Sequence, residues 1–203
     1  MNREQWLNVL VEKLGPMFAT GGMTIPPVHV STGFPSTGGT KLSGSKTIGQ
    51  CWKGEASADG RPQIFISPLL DDSVQVAAVV VHELIHAVHP DAKHGKVFRE
   101  AMGQVGLVGK ATHTTEGPEL KERLHEILSE IGAYPHPKLT PALSGIKKQT
   151  TRMLKVVCPK CKYQVRTTRA WLDRGLPSCP DGDKMEEAQK GEESGEDNSR
   201  NDP

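Results

Sequence analysis

No run of this sequence approaches the ~20 apolar residues that a membrane-crossing helix requires, so no membrane partner is expected. Residues 1–14 carry charge and lack the apolar stretch of a secretory leader, which points to a cytoplasmic protein. Cysteine is scarce, with four among 203 residues; in a reducing compartment clustered cysteines bind metal more often than they pair. Apolar residues reach only 35%, so the core is modest and much of the chain must be loop or tail. No internal repeat is present, which argues against a solenoid. Glycine and proline, in contrast, are plentiful at 21 and 15 residues, the mark of a loop-rich chain.

The net charge of +1 conceals a strong asymmetry. Residues 186–203 carry seven acids and two bases, lack aromatics, and read as a disordered acidic tail. Residues 147–176 hold nine bases and one acid, a density that suits a phosphate-bearing or acidic partner.

Hydrophobic spacing predicts a first helix over residues 3–14, with Trp6, Leu7, Leu10, Val11 and Leu14 on one face and Gly15-Pro16 as its stop. Residues 28–31, 47–52 and 63–67 read as strands, with Asp59-Gly60 turning between the second and third. A helix capped by Asp72 or Ser73 runs through residues 74–89, apolar almost all round in its first half, and Pro90 ends it. Two further helices are expected, from Gly95 to about residue 105 and over residues 118–131. The fold class is α+β: a small, mostly antiparallel sheet packed on helices over residues 1–131, a proline-bearing linker at 132–149, a cysteine-bearing segment at 150–185, and the tail.

The second helix carries His82-Glu83-Leu84-Ile85-His86. Residues four apart share a helix face, so His82 and His86 can offer ring nitrogens to one zinc at roughly 2.0–2.1 Å. Glu83 then sits close enough to reach a water there without ligating. On an apolar helix two imidazoles and a carboxylate are costly unless something compensates them, and a metal does so. A catalytic zinc needs a third protein ligand, for which His89, His94 and Glu100 compete. His89 lies a turn past His86, and Glu100 lies well into the next helix. His94 is favoured, at the point where the chain turns back.

The strings His82-Glu83-Leu84-Ile85-His86 and His94-Gly95-Lys96-Val97-Phe98, followed by Gly106-Leu107, resemble the SprT-like (Spartan-type) metallopeptidase family. The strand Ile64-Phe65-Ile66-Ser67 and a cysteine-bearing ribbon after the domain are similar as well. The resemblance implies a zincin-like domain with His82, His86 and His94 as zinc ligands, Glu83 as general base and Phe98 as a structural apolar residue. It also implies peptide-bond hydrolysis of protein substrates near DNA. Strand 63–67 is expected at the sheet edge beside the cleft, where an extended substrate could pair with it.

Cys158-Pro159-Lys160-Cys161 reads as one knuckle of a zinc ribbon, and Cys179 opens a second after a gap that fits such ribbons. The fourth cysteine is missing, and Asp181 stands near its place. Three readings stay open: a second, structural zinc completed by Asp181, a ribbon that folds without metal, or a ligand from elsewhere. Lys160, Lys162, Arg166, Arg169 and Trp171 could contact nucleic acid, through phosphate pairing and base stacking. The rival to a peptidase is therefore a nucleic-acid-binding ribbon protein whose zincin domain does not turn over substrate. Cys51 reads as a core thiol, and His113 is assigned no role.

Overall fold

The computed structural model describes residues 1–40, 46–140 and 153–188. The chain is mixed α+β and divides into two compact units, Met1–Gly145 and Ile146–Pro203. Among the described residues no helix is long and apolar enough to cross a membrane.

The first unit begins with α1 (Arg3–Thr20). Asn2 caps it through a capping box, its side chain accepting from Gln5 N–H while Gln5 reaches back to Asn2 N–H. Contrary to the expected stop at Gly15-Pro16, the helix continues through Pro16. An interior proline costs about 3 kcal/mol, but the extra turn carries Met17 and Phe18 into the core on the same face as Leu14. Burying a Phe or Met side chain returns roughly 1.5–3 kcal/mol each, enough to offset the break.

Three short strands follow: β1 (His29–Thr32), β2 (Gly49–Trp52) and β3 (Gln63–Ile66). Their order is β1-β3-β2, with β1 parallel and β2 antiparallel to β3. The sheet is thus mixed, and strand 63–67 is central rather than at the edge. Its alternation explains this: Ile64 and Ile66 are fully buried while both of its backbone edges are paired. The two outer strands are β1 and β2.

Helix α2 (Ser73–Val88) starts at Asp72, whose side chain accepts from Gln75 N–H at 2.7 Å. Val76, Ala77, Val80, Val81, Leu84 and Ile85 are buried among the sheet and the other helices. After a turn at 89–95 comes α3 (Lys96–Gln104). Gly106, at φ +81, reverses the chain into a hairpin of β4 (Leu107–Lys110) and β5 (His113–Glu116), which the sequence reading did not foresee. Helix α4 (Pro118–Ile131) then packs on α1 and α2 through Leu120 and Leu124.

Residues 132–139, expected as a linker, instead lie along the first unit. Trp6 Nε1 donates to Gly132 O at 2.9 Å, and Tyr134 N–H donates to Ser73 Oγ at 2.9 Å. Tyr134 is buried, with its hydroxyl 2.7 Å from Thr32 Oγ1, and Leu139 N–H donates to Pro68 O. The remainder of the expected linker, from 141 on, lies outside the described residues.

In the second unit β6 (Met153–Val157) sits between β7 (Gln164–Thr168) and β8 (Glu186–Glu187), both antiparallel to it. The short helix α5 (Arg169–Leu172) follows β7. Val156, Cys158, Leu172, Cys179 and Met185 form the core. Glu186 and Glu187 therefore belong to a strand and not to a disordered tail; residues 189–203 lie outside the described residues.

Candidate metal centre

Helical spacing on α2 puts His82 and His86 one turn apart, and the turn before α3 brings His94 onto them. His86 Nε2 lies 3.3 Å from His94 Nε2, which lies 3.4 Å from His82 Nε2. Two donors about 2.0–2.1 Å from a tetrahedral zinc are separated by about 3.3–3.4 Å. Both distances to His94 thus have the spacing of a shared ion, and the three imidazoles, with ligand atoms within 4.8 Å of one another, could as a group hold one. His89, the C-cap of α2, and Glu100, exposed and 3.8 Å from Lys96, are outside this group.

Phe98 of α3 is fully buried against all three rings, with centroids 4.9 Å from His82, 4.6 Å from His86 and 4.9 Å from His94. Burial dominates the protonation of the group. It lowers His82 to about 3, helped by the charges of His86 and His94, and lowers His86 to about 4, helped by His94. His94 is lowered by burial as well. Neutral rings are the form that binds metal.

Thr114, on β5, was missed by the sequence reading. Its Oγ1 lies 2.8 Å from His82 Nδ1. An ion held at Nε2 would leave the proton on Nδ1, which would then donate to Thr114 and so fix tautomer and ring angle. The partners are 32 residues apart in sequence, and a threonine in the run Thr112-His113-Thr114-Thr115 offers no spacing signal.

Glu83 is buried at 5% exposure, on the α2 face toward β2. Burial pushes its carboxyl up to about 8, and the Cys51 N–H pulls in the other direction. A dication beside it would favour the carboxylate. Gly49 makes this placement feasible: a Cβ there would collide with Glu83 Oε1 and lie 2.6 Å from Val79 Cγ1. Cys51 is half-buried and its thiol is raised to about 12 by burial and by Glu83, which leaves it unreactive.

These groups face a cleft of about 930 Å³, bounded by Gly49, Gln50 and Cys51 on one side and Thr112 to Thr115 on the other. Of the first sheet it is β2 that borders the cleft, not the expected strand 63–67.

In the second unit the sulfurs of Cys158, Cys161 and Cys179 lie within 4.8 Å of one another and could hold a second ion. The Cys161 N–H, together with that of Lys160, faces the Cys158 sulfur and lowers its pKa. Asp181 is exposed and is not brought into the group, because the turn after Cys179 carries it outward. Of the candidate nucleic-acid contacts, Lys160 pairs with Asp183 at 2.5 Å and Lys162 Nζ donates to Pro159 O at 3.0 Å. Arg169 grips Glu187 with two bonds of 2.6 and 3.0 Å. Trp171 is 61% exposed, with Arg174 5.0 Å above its ring. No family model, curated protein or solved structure matches the chain, so the resemblance to SprT-like peptidases rests on its short motifs alone.

Proposed function

We propose that the chain is a zinc-dependent endopeptidase of SprT-like type, with a zincin-like first unit. The observation that carries this reading is the convergence of three histidine rings, with His94 Nε2 3.3 Å from His86 Nε2 and 3.4 Å from His82 Nε2, and a buried carboxylate on α2 with two of them. His82, His86 and His94 would hold the ion, and zinc bound there supplies Lewis acidity to water and to a peptide carbonyl. Glu83 accepts the proton of the attacking water and returns it to the leaving amine. Gly49 and the Cys51 N–H position the carboxylate, and Thr114 orients His82. The edge of β2 away from β3, which pairs with no strand among the described residues, offers backbone groups to an extended chain entering the cleft. Three unpaired cysteines close together agree with a cytoplasmic setting.

Zinc-loaded protein should cleave an unfolded protein substrate, and Glu83→Gln should retain the zinc while losing cleavage. Undiminished cleavage by pure, zinc-loaded Glu83→Gln would refute the reading.

A second reading, a nucleic-acid-binding ribbon, is favoured by exposed Trp171 and Tyr163 among basic residues. The ion pairs that engage Lys160 and Arg169 are at the surface, where solvent screens such pairs and they yield readily to phosphate. In the combined picture the substrates are proteins held on DNA. Fluorescence anisotropy with single-stranded DNA across a salt series tests it. Binding that weakens with salt and with Arg166→Ala supports the ribbon as the contact, and absent binding removes it.

A further inference from the structure

Two turns present the three sulfurs of the second unit, and they differ by one residue. In the first, Cys158 N–H donates to Tyr163 O at 2.9 Å, and Cys158 O accepts from Lys162 N–H at 3.1 Å. Lys162 takes the left-handed conformation, φ +63, just after Cys161. In the second, Cys179 N–H donates to Asp183 O at 2.8 Å, but Cys179 O accepts from Gly182 N–H at 2.9 Å. The left-handed residue, Gly182 at φ +87, comes one position earlier.

Gly182 therefore stands three residues after Cys179, where Cys161 stands relative to Cys158, and it has no side chain. A Cβ built on it would meet nothing within 4 Å. The second unit contains no histidine and no further cysteine. Asp181 is exposed outside the sulfur group, and Asp183 Oδ1 is held by Lys160 at 2.5 Å. Structural zinc sites close all four positions with protein donors; a site with three protein donors keeps one for an outside molecule.

We propose that Cys158, Cys161 and Cys179 form a three-thiolate centre that is open at its fourth position. It takes a thiophilic dication, zinc first, and leaves one position for a small exogenous nitrogen or sulfur donor. Buried Cys158 and Cys179 anchor the ion, and exposed Cys161 marks the side from which the donor arrives. This centre is independent of the histidine group and of any peptidase activity.

The test uses the full chain, stripped of metal, kept reduced with a phosphine and titrated with cobalt(II). Thiolate ligation produces a sulfur-to-cobalt charge-transfer band that nitrogen ligation at the histidine group does not. The expected result is such a band, saturating at one cobalt per chain, that shifts when imidazole is added and is lost in Cys161→Ser. Asp181→Asn and Asp183→Asn should leave the band unchanged. Absence of the band at saturating cobalt overturns the proposal. So does a band that ignores imidazole, because the fourth position is then already closed; a change in either aspartate variant would name the carboxylate that closes it.

Discussion

At the scale of single residues, two small side chains hold the histidine group's chemistry in place. Gly49→Ala should leave the fold and the zinc content intact and displace Glu83, cutting peptidase activity at least tenfold, as kcat/KM on a protein substrate would show. Thr114→Val should weaken zinc binding by roughly 10–100-fold in a chelator competition, the usual effect of removing a partner that orients a ligand, while Thr114→Ser retains it. The metal-free protein should also have a two-sided pH profile. Glu83 holds its proton up to about 8 when folded against an ordinary 4.5, so stability falls as pH rises through that window, on the order of 1 kcal/mol per unit. His82 and His86 fall to about 3 and 4 from 6.5, so stability is also lost as pH drops below 6.5. Where the windows overlap the two histidines outweigh the one carboxyl, so thermal melts should peak at about pH 6.5, and Glu83→Gln should abolish the decline above it. The ligand spacing on α2 was legible because helix geometry turns a gap of four into a shared face. Gly49 and Thr114 were not, since each acts on a residue more than thirty positions away.

At the scale of elements, local periodicity located α2, α3 and α4 to within a residue or two, because each carries its own apolar stripe. It failed where tertiary burial overrode a local breaker, as at Pro16. It also failed where prolines suggested a linker: Pro135 and Pro137 bracket His136, whose ring Nε2 lies 3.0 Å from Pro68 O. The strap at 132–139 should carry real stability. Tyr134 packs 4.9 Å from Trp6, and Tyr134→Ala should cost roughly 3 kcal/mol in a urea titration. Tyr134→Phe, which loses only the bond to Thr32, should cost about 1 kcal/mol. The β4–β5 hairpin was illegible for another reason. His113-Thr114-Thr115-Glu116 has no apolar alternation, and its strand identity comes from pairing with β4.

At the scale of the whole molecule, the two units differ in how they can be stable. The first has an extensive core built on four helices and a sheet. Among the described residues the second rests on five buried side chains, two of them cysteines. Cores of that size need a metal or another staple. Chelation should therefore expose residues 153–188 to proteolysis while residues 1–140 persist as a protected fragment, visible by mass spectrometry. Elemental analysis of the undisturbed protein should find about two zinc ions per chain.

Phe98 packs against all three imidazoles before any ion arrives. A ligand set propped in this way has little left to arrange, so uptake of its cation should proceed with almost no change in helical circular dichroism. Ions that prefer square-planar surroundings should find the rings unwilling to swing into place. A bulk hydrocarbon thereby contributes to discrimination between metals.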